Sequence, residues 1–170
     1  MTAYVALLRA VNVGGTGKLA MSDLKAMCEN AGFDGVRTFI ASGNVVFRSK
    51  ISEARVKATL DKLLEDHAGK PVGVLVRTAA EMAEVLAGNP FPDAPANRTV
   101  AIFLGEAPAS KALDAITGRK NEELQLGRRE IYVHYADGIG VSKLKIPAAS
   151  NGTARNMNTV AKLAEMVANL

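Results

Sequence analysis

Short apolar runs and amphipathic stretches alternate along this chain in an order that few folds accommodate. Ala3 to Arg9 is rich enough in Val and Leu to form a buried strand. After a glycine loop, Ser22 precedes a stretch with Leu24, Met27, Cys28 and Ala31 at i, i+3, i+4 and i+7, one face of a helix. Gly32 suits a left-handed C′ position there, with Phe33 folding back on the last turn. Asp34-Gly35 then leads into Val36–Ile40, and "ASGN" leads into Val45–Arg48, a predicted hairpin. Ser52 is a helix cap for Val56, Leu60, Leu63 and Leu64, and Gly69-Lys70-Pro71 ends that helix. Pro71 donates no backbone hydrogen bond, so the next strand starts beyond it, at Val72–Arg77. The predicted order is β-α-β-β-α-β, that of the split βαβ plait of ferredoxin-like domains.

Thr78 and Glu81 make a capping box for a short helix burying Met82, Val85 and Leu86 and stopping at Gly88. "NPFPDAPANR" follows and holds three of the six prolines, which marks it as a linker. Beyond it a strand (Thr99–Leu104), a helix (Ser110–Thr117), a hairpin (Glu123–Gly127 and Ile131–Tyr135) and a last helix (Met157–Asn169) are predicted. The expected fold is therefore α+β, two ferredoxin-like (split βαβ) subdomains packed together. Residues 1–78 form the first plait, 79–98 a helix and Pro-rich linker, and 99–170 a second plait without its closing strand. That second sheet is expected to have an open edge needing cover.

A chain of 170 residues is long enough for such a pair. Aromatic residues make up 5% and Trp is absent, so the cores are aliphatic. The single cysteine, Cys28, allows no internal disulfide, which fits a reducing cytoplasm. No apolar run is long enough for a membrane span. A formal charge of +4 permits anionic partners.

The common catalytic sets are missing. His67, His134 and Cys28 do not reproduce the spacings of zinc sites, and no Gly-x-Ser-x-Gly elbow occurs. The loop "NVGGTGKL" resembles a Walker loop only in Gly17-Lys18. Asn12 stands where the first glycine is required and Leu19 where the magnesium-binding hydroxyl belongs. Its consecutive glycines let backbone N–H groups point into one concavity, with Arg9 and Lys18 to supply positive charge; the alternative reading is a flexible strand-to-helix turn with a solvated lysine. "YADGIGVSKLK" carries two further glycines and three lysine or serine donors. "NGTARNMNTVAKL" sets Arg155, Asn156 and Asn158 at a predicted helix N-terminus, where an anion is favoured. The alternative reading of that stretch is a helix cap from Thr153, Asn156 or Asn158 with Arg155 in solvent.

The stretches "RAVNVGG", "SGNVVF", "YVHYADGIGVSKL" and "TARNMNTVAKL", in this order from about Val5 to Leu163, resemble the bacterial domain-of-unknown-function family numbered 1697. The resemblance implies a cytoplasmic α/β protein of two ferredoxin-like plaits and brings no activity and no catalytic residue. The polar members of its motifs fall on Arg9, Asn12, Gly14, Gly15, Ser42, Gly43, Asn44, Gly138, Ser142, Lys143, Arg155, Asn156 and Asn158. Met157 departs from the family pattern, which has Trp there, and Ala136 stands where Pro is frequent.

With Lys18 added, the predicted ligand-binding set is Arg9, Asn12, Gly14, Gly15, Lys18, Ser42, Asn44, Ser142, Lys143, Arg155, Asn156 and Asn158. The expected function is a binding module for an anionic ligand (a nucleotide, a phosphate-containing metabolite or an RNA backbone), in a cleft between the subdomains. No cofactor, metal or membrane partner is expected. An enzyme acting on a phosphorylated or nucleoside-like substrate is the first alternative. It would use Lys18, Lys143 or Arg155 to stabilise charge, with Asp137 or His134 as acid or base. The second alternative is an assembly protein whose glycines are packing turns.

Overall fold

The computed structural model describes residues 1–9, 19–40 and 43–170. They fall into two compact units, Met1–Ala83 with Lys162–Leu170, and Glu84–Ala161. The described residues form mixed α/β structure with two four-stranded antiparallel sheets and four α-helices.

In the first unit β1 (Thr2–Leu8), α1 (Met21–Asn30), β2 (Asp34–Phe39), β3 (Asn44–Ser49), α2 (Glu53–Ala68) and β4 (Val74–Thr78) follow in the predicted order. The strands lie in the order β2-β3-β1-β4, and every neighbouring pair is antiparallel. Alternation along β1 sends Tyr4, Ala6 and Leu8 into a core with Phe47, Val76, Leu24, Cys28, Leu60 and Leu64. Phe33 stacks on Phe47 with centroids 4.4 Å apart, so the residue after the α1 turn closes that core. Val5 and Leu7, on the opposite face of β1, are also fully buried. Burial on both faces explains why β1 reads as an unbroken apolar run.

Local chemistry sets the helix ends. Ser52 Oγ accepts the Arg55 N–H at 3.3 Å, and Gly69 ends α2 at φ +74°. At α1 the expected cap fails: the helix starts one residue before Ser22, behind Ala20, with no side-chain bond at its N-cap. Thr78 and Glu81 form the reciprocal capping box of α3 (Ala79–Ala87), with N–H···O distances of 2.9 and 3.2 Å. Met82 and Val85 are buried as expected, whereas Leu86 is 37% exposed.

The second unit repeats the strand order. Strands β5 (Thr99–Phe103), β6 (Glu123–Leu126), β7 (Glu130–His134) and β8 (Thr153–Asn156) lie as β6-β7-β5-β8. β8 is the closing strand that was expected to be missing. Only four residues long, with Arg155 at its buried position, it offers no apolar alternation to read. The helix expected at Ser110–Thr117 is reduced to a 3-10 turn, Ala112–Ala115. Its end is pulled straight because Thr117 and Lys145 exchange backbone hydrogen bonds of 3.1 and 2.8 Å. Between β7 and β8 the chain makes short 3-10 turns at Ile139–Val141 and Pro147–Ala149, and Leu113, Leu144 and Ile146 cover the core of Val100, Ile102, Ile131 and Val133. The last helix, α4 (Met157–Ala168), begins where expected, directly after β8.

Candidate functional site

The described motif residues of the first unit, Arg9, Gly43 and Asn44, lie at one end of its sheet. The Leu8 N–H donates to the Gly43 carbonyl at 2.9 Å and the Arg9 N–H to the Gly73 carbonyl at 3.1 Å. Arg9 also lies against Gly73, where an added Cβ would sit 3.1 Å from its Cδ; Gly73 has φ +85°. Asn44 is fully buried and its amide donates to the Phe39 carbonyl at 3.0 Å, closing the β2–β3 hairpin. Asn12, Gly14, Gly15, Lys18 and Ser42 lie outside the described residues.

At "TARNMNT" the structure corrects the expected placement of Arg155. It directly precedes the α4 cap, as expected, but it lies on a strand and not in solvent: it sits on β8, 7% exposed. Its guanidinium donates to Thr153 Oγ1 at 2.7 Å and to the Ala154 carbonyl at 2.9 Å. Burial lowers its pKa to about 10, which still leaves it charged at neutral pH. Asn156 is the α4 cap, its Oδ1 accepting the Thr159 N–H at 3.0 Å. Asn158 is exposed, and Met157 is buried.

Arg77 is a residue that sequence reasoning missed. It is completely buried on β4 and donates to the Val76 carbonyl at 3.0 Å. Arg77 pairs with Val5 on the central strand of its sheet, and Arg155 pairs with Ala101 on the central strand of the other. Each arginine is followed by a helix-capping residue, Thr78 or Asn156. The dipeptides Arg-Thr and Arg-Asn immediately before α3 and α4 were the available signal.

Ser142 and Lys143 line a cavity of about 370 Å³ that lies wholly within the second unit. One wall runs from Gly118 to Glu122 and the other from Asp137 to Lys143. Glu122 ties the walls together: one oxygen accepts the Lys120 backbone N–H at 2.6 Å, the other the Ser142 hydroxyl at 2.6 Å. Ser142 Oγ in turn accepts the Leu144 N–H at 3.2 Å. The Arg119 Nε donates to the Glu122 carbonyl at 2.8 Å, and the Asn121 amide donates to Asp137 Oδ2 at 2.6 Å. Lys120 and Lys143 have no ion-pair partner among the described residues. The arrangement is a polar cleft with three cationic side chains on a frame held by one carboxylate.

The Lys120 N–H and then the Ser142 hydroxyl hold the Glu122 carboxyl below its ordinary pKa of 4.5. A depressed folded-state pKa contributes stability that is fully present above about pH 4.5 and lost as pH falls through the lower folded value. Glu122→Gln is therefore expected to flatten the acid limb of the stability-versus-pH curve. Chemical denaturation at steps between about pH 5 and pH 3 checks this, and parallel acid limbs in parent and variant would refute it.

The groups with reactive chemistry lie elsewhere. Cys28 is buried in the first core, and burial raises its thiol pKa to about 12, which removes thiolate reactivity at neutral pH. His67 is in the last turn of α2. His134 Nδ1 is 3.3 Å from Thr99 Oγ1 and does not line the cavity. Among the described residues no group of three or more His, Cys, Asp or Glu is placed to hold a metal ion. No described helix is long and apolar enough to cross a membrane.

The family model of the protein of unknown function DUF1697 matches residues 1–132. This span contains "RAVNVGG" and "SGNVVF" and stops where "YVHYADGIGVSKL" begins. The chain is also similar to the solved structure of the conserved bacterial protein SP0830 from Streptococcus pneumoniae, with a TM-score of 0.80 and 24% identity over 98% of each chain. At that identity the likeness speaks for the fold alone. No curated protein matches the chain. With more than half its length matched, the chain belongs to the DUF1697 family.

Proposed function

We propose that this protein is a binding module for an anionic, phosphate-bearing ligand, carried on two split βαβ plaits. One observation carries the reading: Arg119, Lys120 and Lys143 converge on a single cavity, and neither lysine is neutralised by a carboxylate among the described residues. A cationic cluster of this kind is stabilised when a ligand phosphate enters it. Ser142 adds a hydroxyl to the same wall, and Gly138, at φ +94°, starts the turn that carries it. Arg9, Asn12, Gly14, Gly15, Lys18 and Ser42 form, in this reading, a further anion-binding group belonging to the first unit. Arg155 and Asn156 are engaged within β8 and at the α4 cap and do not line this cavity.

Asp137 favours a second reading, an enzyme acting on a phosphorylated or nucleoside-like substrate, because this carboxylate lines the same cavity as Lys143. The two readings separate on turnover.

A thermal-shift series with inorganic phosphate, sugar phosphates, nucleotides and short RNAs tests the proposal. A ligand at about 100 times its Kd stabilises the parent by about 2.7 kcal/mol. Lys143→Ala and Lys18→Ala are each expected to reduce that shift. Absence of a shift with every phosphate compound, or shifts identical in parent and Lys143→Ala, would refute the cavity as the binding site. Consumption of the stabilising ligand, abolished in Asp137→Asn, would establish the enzymatic reading.

A further inference from the structure

The cavity sorts its chemistry by position, and the sorting narrows the ligand class. Resting on the anion-binding reading, we infer that the cavity takes a ribonucleoside monophosphate. Its phosphate lies on Lys120, Lys143 and Arg119, and its ribose hydroxyls lie on Asp137.

A receptor for bare phosphate gains nothing from a second carboxylate, which repels the ligand. Glu122 is accounted for by the Lys120 N–H and Ser142. Asp137 is not: Asn121 donates to its Oδ2, and its Oδ1 has no hydrogen bond among the described residues. An ionised carboxylate only accepts, so the group it suits is a hydroxyl donor. A vicinal diol offers two such donors, and carboxylate recognition of a ribose 2′-hydroxyl is a recurrent solution in nucleotide sites. Asn121 fixes the carboxylate's orientation, which lowers the entropy cost of engaging the diol.

An apolar side chain completes the selection. Val141 lines the cavity and is 68% exposed, and Ile139, two residues earlier, is 49% exposed. Large apolar groups held in water beside a polar cleft suit the face of a nucleobase, which a simple sugar phosphate lacks. The volume of about 370 Å³ lies near the lower end of the roughly 300–1,000 Å³ typical of small-ligand sites. It suits one nucleotide rather than an extended strand.

The deciding experiment measures binding of AMP, 2′-deoxy-AMP, ribose 5-phosphate, inorganic phosphate and a short RNA by calorimetry to the full chain. The parent, Asp137→Ala and Lys143→Ala are compared; both substitutions are at exposed positions. AMP is expected to bind about tenfold more tightly than 2′-deoxy-AMP and ribose 5-phosphate. Asp137→Ala should remove the ribo/deoxy difference while phosphate still binds, and Lys143→Ala should weaken every phosphate compound. Equal binding of AMP and 2′-deoxy-AMP by the parent, with Lys143→Ala still weakening both, overturns the ribose assignment and leaves the anion reading standing. Tighter binding of RNA than of AMP overturns the single-nucleotide assignment. No binding of any phosphate compound overturns both.

Discussion

Arg77→Ala is expected to lower the stability of the protein by about 3 kcal/mol, a large loss for a single site. Arg77 is the largest of the fully buried side chains. Truncation leaves a void, and comparable large-to-small core changes cost about 2–5 kcal/mol. It also removes the donor to the Val76 carbonyl, 3.0 Å away, from a fully buried position. Arg77→Met separates these contributions. Methionine refills much of the volume and supplies no donor, so it should recover part of the loss. Arg155→Ala, at the equivalent register of the other sheet, should be destabilising too, through its bonds to Thr153 and Ala154. Urea denaturation of the three variants checks the set. A loss below about 1 kcal/mol in Arg77→Ala would mean that the side chain is dispensable for packing.

The two arginines also show where sequence reasoning reaches and where it stops. In the first unit, periodicity and turn chemistry located every element, because Leu24, Cys28, Leu60 and Leu64 recur at helical spacing and Gly32 and Gly69 adopt the left-handed turns they suit. The family was legible from glycine and asparagine motifs, which combine residue types that packing alone would not require together. β8 was illegible because a four-residue strand with a buried arginine carries no hydrophobic signal; its place is set by pairing with β5, a long-range contact. The helix expected at Ser110–Thr117 had acceptable spacing and lost to the Thr117–Lys145 bridge, which is also non-local.

The candidate site was half legible for a related reason. Ser142 and Lys143 stood out beside the glycines of "ADGIGVSKL", and both line the cavity. Arg119, Lys120 and Glu122 did not, since "GRKNEE" reads as an ordinary charged turn. Only the pairing of residues 117 and 145 brings that turn opposite Ser142. Asn44 and Asn156 were chosen as ligand donors, yet the amide of the first closes a hairpin and that of the second caps a helix. Asparagine serves turns, caps and ligands with the same amide, so sequence cannot distinguish the three.

The same non-local bridge makes Gly118→Ala the variant expected to damage the cavity most. Gly118 has φ +71°, and a Cβ there would lie 2.0 Å from the Lys143 carbonyl oxygen and 2.8 Å from its carbon. Both are backbone atoms, so no side chain can swing aside. The strand of chain carrying Lys143 must move, which strains the 3.1 and 2.8 Å hydrogen bonds between Thr117 and Lys145. A positive φ costs an alanine roughly 1–2 kcal/mol, and displacing packed neighbours adds roughly 1–3 kcal/mol. The expected loss is about 2–5 kcal/mol, with the ligand-induced thermal shift falling as it does in Lys143→Ala. Gly69→Ala supplies the comparison: Gly69 also has a positive φ, +74°, in the left-handed region, but nothing lies within 4 Å of its added Cβ. It should show the backbone cost of about 1–2 kcal/mol without the displacement. Denaturation curves for the two variants therefore isolate the contact that holds Lys143 in place. Equal losses would place the whole effect in the backbone conformation and none in the packing of the two cavity walls.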